Sequence, residues 1–274
     1  MQKKILITVL TYPTPSHKYI ETVCIAGVTE EGDWIRIYPI KLRMLEETIR
    51  KYNWYIFDVE PRSSNKDLRK ESFFCISPPK ESIGSIGTKD CWRERKEFCL
   101  KNVFYNYKKL EEVSDTRVKG FISLATFKPK ELVDFIAEQK DTTKDEAIKE
   151  EILDTLKSQG ELIQSQDIPQ YWKMAQSIPY TFYYVFKDDS DREFRLMIED
   201  WELMMLYRNC VKEGEAIALS QVRQKYFLEF KQKDIHFFMG TRREAQIRRW
   251  KKPYSIIGIF YPPKVLQPAF DFGT

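Results

Sequence analysis

Residues 24–40 read CIAGVTEEGDWIRIYPI. Two apolar stretches flank an acidic turn in which Gly32 stands where left-handed backbone geometry is cheap. The segment therefore predicts a hairpin between a strand ending in YIETVCIAGV and a strand DWIRIYPI. Period two puts Trp34, Arg36 and Tyr38 on one face of the second strand, with Ile35, Ile37 and Pro39 on the other. Two readings of that face stay open. It can stack bases on its rings and offer Arg36 to phosphates or base edges, as small barrels do. It can equally bury Trp34 and let Arg36 snorkel to the rim.

Outward from the hairpin the strand pattern continues. KILITVLTY precedes it, and WYIFDVEP, ended by Pro61, follows; then come the polar loop RSSNKDLRK and ESFFCI. CWRERKEFCLKNVFYNYKKLEE (91–112) has helical spacing, and GFISLATFKP reads as a strand. Pro129 at the head of PKELVDFIAEQK predicts a helix over 129–140, and Asp141 caps a second over 144–160. The last hundred residues return to strands: PYTFYYVFK, REFRLMI, DIHFFMGT and PYSIIGIFYPP, with two helices over 199–232. The expected fold is α+β and β-rich, with two small OB-like or β-barrel units joined by a helical segment. The expected domains are 1–128, a helical spacer 129–176, and 177–274.

The chain has 274 residues, 42% hydrophobic and 31% charged, which suffices for a core and excludes wholesale disorder. No apolar run approaches the roughly 20 residues of a membrane helix, and the N-terminus reads as a first strand rather than a signal peptide. Five widely spaced cysteines without a CxxC predict free, mostly buried thiols in a cytoplasmic protein. Net charge is only +4, but it is unevenly spread. Residues 138–170 hold nine acids and four bases, a net of −5 that leaves +9 on the rest. The densest basic run is Arg242, Arg243, Arg248, Arg249, Lys251 and Lys252, around Trp250. It is either a solvated surface or the site of a polyanion partner. The acidic segment 129–160 is a candidate surface for a protein partner, expected to stand clear of nucleic acid.

The phosphate cradles GxxxxGK[ST] and GxGxxG are missing, as are HExxH and GxSxG, and no cofactor or metal is expected. Only His17 and His236 could serve as a histidine base. Glu229-Phe230-Lys231 follows Asp200 in a pattern resembling metal-dependent nucleases, although Glu229 falls in a helical context. An enzyme acting on nucleic acid, with carboxylates among Asp58, Glu60, Asp200 and Glu229, is therefore a rival reading. No catalytic residue is assigned.

The stretch CIAGVTEEGDWIR resembles the opening of bacterial dual OB-domain proteins at Cys24, Ile25, Ala26, Gly27, Gly32, Trp34, Ile35 and Arg36. Ile37 departs from it, standing where that family has proline. The resemblance implies two OB-like barrels and nucleic-acid binding, often in prokaryotic defence or RNA processing. The expected function is a nucleic-acid-binding recognition subunit for RNA or DNA. The candidate contacts are Trp34, Arg36, Tyr38, Arg43, Arg242, Arg243, Arg248 and Arg249.

Overall fold

A computed structural model describes the chain except residues 18–19, 42–48, 63–68, 116, 118–119, 161–174, 243–247, 249–251 and 266–274. The hairpin forms as its sequence requires. β3 (Ile20–Val28) pairs antiparallel with β4 (Trp34–Lys41), Val28 opposite Trp34. Gly32 takes φ +88°, and its N–H donates to the Thr29 carbonyl at 3.0 Å. Gly27 is needed for a different reason: a Cβ there would lie 2.1 Å from the Leu6 carbonyl oxygen of the neighbouring strand.

That neighbour is β1 (Gln2–Leu10), whose second half pairs with β3 and whose first half pairs with β5 (Asn53–Pro61). β6 (Ser72–Ser77) lies antiparallel to β5 and parallel to β4, Arg36 opposite Ser72. The cyclic order β1-β3-β4-β6-β5 closes a five-stranded barrel on the Greek-key plan of OB domains. Its interior is filled by Ile5, Ile7, Val23, Ile25, Ile35, Ile37, Tyr55, Phe57 and Val59. Short strands β2 (Thr14–Ser16) and β7 (Gly84–Ser85) pair at its margins.

The second sheet repeats the order. Its strands are β8 (Val103–Phe104), β9 (Leu124–Phe127), β10 (Glu131–Gln139), β11 (Tyr180–Lys187), β12 (Glu193–Ile198), β13 (His236–Thr241) and β14 (Tyr254–Phe260). They run β10-β11-β12-β14-β13-β9-β8, and β12 pairs parallel with β14 as β4 does with β6. β9 pairs with β13, and β10 with β11. The two lie either side of Pro129, so together they occupy the place that β1 fills in the first barrel. The core of this unit is aromatic: Tyr107, Phe127, Phe182, Tyr184, Phe186 and Phe237 are fully buried.

Five helices complete the described fold: α1 (Lys89–Cys99), α2 (Tyr107–Val113), α3 (Thr143–Gly160), α4 (Trp201–Cys210) and α5 (Glu215–Arg223). Asp200 caps α4 by accepting from the Leu203 N–H at 3.0 Å.

Four sequence expectations change. Residues 131–139 are strand, not helix, because a bulge between Leu132 and Asp134 sets the inward Leu132 and Phe135 three apart and mimics helical spacing. The first domain therefore ends well before residue 128, since the strands divide between Ser85 and Val103. The long helix expected over 91–112 splits at β8, which pairs with β9, and Asn106 caps α2 from the Lys109 N–H at 3.1 Å. Only Cys99 is fully buried; Cys24, Cys75, Cys91 and Cys210 are half-buried, and all five are free. No described helix is long and apolar enough to cross a membrane.

Candidate functional site

Along β4 the outward residues Trp34, Arg36 and Tyr38 do share a face, but they meet three surroundings. Trp34 is half-buried against the second unit, edge-on to Phe238 with ring centroids 5.2 Å apart. It joins a shared core of Val9, Ala26, Leu124, Phe238, Ile257 and Phe260. Arg36 is 3% exposed. Its Nη1 donates to Ser123 Oγ at 2.7 Å and Ser72 Oγ at 3.4 Å, and its Nη2 to the Ser123 carbonyl at 3.2 Å. Glu71 accepts from the Ser123 N–H and hydroxyl. Tyr38 is half-buried, with the Arg62 guanidinium 5.1 Å from its ring centroid. Of the two readings of this face, the packing is that of a Trp34 set between the units and an Arg36 held by Ser123 and Ser72.

Beyond Arg36 the two units separate, and a cleft of about 620 Å³ opens between them. From the first barrel it is lined by Thr11–Pro15, by Thr22 and Cys24 of β3, by Arg36 and Tyr38, and by Arg62 and Arg69. These are the first-to-second and fourth-to-fifth strand connections with the second and third strands. The second unit contributes the corresponding parts. Lys140, Asp145, Lys149 and residues 175–178 come from its first-to-second connection. Tyr180, Thr181 and Met197–Glu199 come from β11 and β12 and their ends, and Thr241 and Arg242 from the edge of its fourth-to-fifth connection.

Among the described lining residues six are basic (Arg36, Arg62, Arg69, Lys140, Lys149 and Arg242) against two acids, Asp145 and Glu199. Arg242 donates to Glu199 at 3.0 Å, and Glu199 also accepts from Ser255. Arg69 is 6% exposed and donates to the Thr241 carbonyl at 3.3 Å. Lys149 is 8% exposed, with its ammonium 2.6 Å from Ser177 Oγ. Burial holds the Cys24 thiol above its ordinary pKa, so it lines the cleft as a neutral group. Tyr12 donates to the Gln176 carbonyl at 2.7 Å, joining the two units.

Of the eight predicted contacts, Arg36, Tyr38 and Arg242 come together in this cleft, Trp34 lies outside it, and Arg248 is exposed elsewhere. Arg43, Arg243 and Arg249 lie outside the described residues. Sequence reasoning missed Lys140 and Lys149 because they sit in a segment of net negative charge. Lys140, Asp145 and Lys149 of that segment line the cleft, while its acids Glu150 and Glu151 are exposed. It also missed Arg62 and Arg69; the signal was the basic flanks of RSSNKDLRK between two strands.

The rival carboxylates have other roles. Asp200 is 1% exposed and paired with Lys51 at 3.1 Å, and Asp58 accepts from Ser77. Glu229 is exposed on the π-helical turn that follows α5. Among the described residues no group of three or more His, Cys, Asp or Glu side chains is placed to hold a metal ion.

Residues 107–272 match the family model described as a domain of unknown function (DUF8757), and residues 1–101 match another so described (DUF8758). The two matches divide the chain where the two sheets do. No curated protein matches it.

Proposed function

The chain belongs to the family DUF8757, and since that description carries no activity we propose from the geometry that this protein binds single-stranded nucleic acid in the cleft between its two units. One observation carries the reading. Both units turn toward the cleft the surface with which OB-type barrels hold oligonucleotides, namely the second and third strands with the two connections beside them, and its charge is mainly basic. OB surfaces also hold oligosaccharides, but six cations favour a polyanion. Tyr12, Tyr38 and Tyr180 supply rings beside those cations, the combination that single strands use. The resemblance of residues 24–36 to dual OB-domain proteins supports the same reading, as does its extension to a recognition subunit in a prokaryotic cytoplasm.

Photo-crosslinking tests it. Single-stranded oligonucleotides carrying 4-thiouridine or bromodeoxyuridine, mapped by mass spectrometry, should crosslink at Tyr12, Tyr38 or Tyr180. Crosslinks confined to the outer surfaces of the barrels would place binding elsewhere and refute the cleft.

A further inference from the structure

We propose that Arg195, laid on the ring of Tyr183, is a base-stacking platform on the β11–β12 face that takes the next base of a strand leaving the cleft. The inference rests on the cleft reading and deepens it. Thr181 of β11 and Met197 of β12 line the cleft. Every second residue of a strand shares a face, so Tyr183 follows Thr181 and Arg195 precedes Met197 on that same face. Tyr183 stands directly opposite Met197 in the unbroken register of the two strands. The platform therefore lies one same-face position beyond the cleft wall, about 7 Å along each strand.

The Arg195 guanidinium is 4.0 Å from the centroid of the Tyr183 ring. Its Nη2 is 2.6 Å from the Glu138 carboxylate on the neighbouring β10, and the two side chains are 38% and 49% exposed. So exposed an ion pair adds little to stability, but ring and carboxylate together hold the guanidinium in place. Glu138 also balances its charge. What Arg195 offers a ligand is then a flat, weakly hydrated face, which suits a base better than a phosphate. Unstacked bases settle on guanidinium planes as they do on aromatic rings. The first unit differs, because there Arg62 packs against two rings, Tyr38 at 5.1 Å and Phe74 at 4.9 Å. Among the described residues Tyr183 is the one ring against Arg195, and the exposed side of the guanidinium is left for a base.

Fluorescence anisotropy would follow labelled oligothymidylate and oligouridylate of about 12 nucleotides, within the roughly 4–16 that one OB fold covers. Arg195→Lys keeps the charge and the reach to Glu138 but has no plane. It should bind about 5-fold or more weakly than the wild type, the low end for one lost stack. Tyr183→Phe keeps the ring and should bind as the wild type does. Arg195→Ala combined with Glu138→Gln removes both charges at once. It should bind at least as weakly as Arg195→Lys, with the slope of log affinity against log salt unchanged. Arg62→Gln serves as the control for the cleft. Wild-type affinity in Arg195→Lys, beside a loss in Arg62→Gln, would overturn the platform and leave the cleft reading standing. So would a slope lower by about 0.7 in the double variant, which would make Arg195 a phosphate contact. Full affinity in both Arg195→Lys and Arg62→Gln, or a wild type that binds neither probe, would overturn both.

Discussion

Arg36 spends its guanidinium on Ser123 and Ser72, and Trp34 spends its ring on Phe238, so strand β4 changes role every second residue. Trp34→Ala should act on stability. Removing a large aromatic from between the units should cost up to about 3 kcal/mol, the low end for buried aromatic truncations because Trp34 is only half-buried. Affinity of the still-folded variant for single strands should change by less than about twofold. Denaturant unfolding plus one binding titration checks both, and an unchanged midpoint with a large loss of affinity would return Trp34 to the ligand. Period two made the shared face of Trp34, Arg36 and Tyr38 readable from sequence. Which part of that face is covered was not readable, because the cover comes from Ser123 and Phe238, some 90 to 200 positions along the chain.

At the scale of elements, the strands were legible where alternation ran unbroken, as in β4 and β11, or where a short apolar run was bounded by prolines, as in β14. β10 was not, since its bulge gave Leu132 and Phe135 a helix-like spacing and Pro129 stood where a helix could start. α3 was legible as a helix but not as a cleft wall, because net charge hides which face carries Lys149. β13 carries a pH-dependent feature. His236 is 5% exposed, and its Nδ1–H donates to the Asp234 carbonyl at 3.0 Å, which fixes the neutral tautomer. Burial, then the nearby Lys128 ammonium, pushes its pKa from an ordinary 6.5 down to about 4, against the pull of Asp234. The unfolded chain therefore takes up this proton first as pH falls. The stability contributed by the neutral ring is present above about pH 6.5 and is lost between there and about pH 4. His236→Gln lacks this titration. The stability difference between wild type and variant should be flat above pH 7 and should shift against the wild type across that window. Parallel pH profiles from denaturant melts would show the histidine to be uninvolved.

Across the whole molecule, two units of one strand order are held together by the Trp34–Phe238 core, by Arg36, and by the buried Lys51–Asp200 pair at 3.1 Å. Burial works against the charge on Lys51, but Asp200 and Glu202 outweigh it and keep the ammonium protonated. Two β-rich units were visible in the sequence because each repeats strands and turns. Their mutual placement was not, and it is what brings Arg62, Lys140 and Arg242 to one cleft from distant parts of the chain. The most direct measurement of that convergence is the salt dependence of binding. Each phosphate contact on a single strand contributes about 0.7 to the slope of log affinity against log salt. Arg62→Gln combined with Lys140→Gln removes one cation from each unit at the cleft, and the slope should fall by about 1.4 with the fold unchanged. A double variant that keeps the wild-type affinity and slope would contradict the cleft as the site of binding.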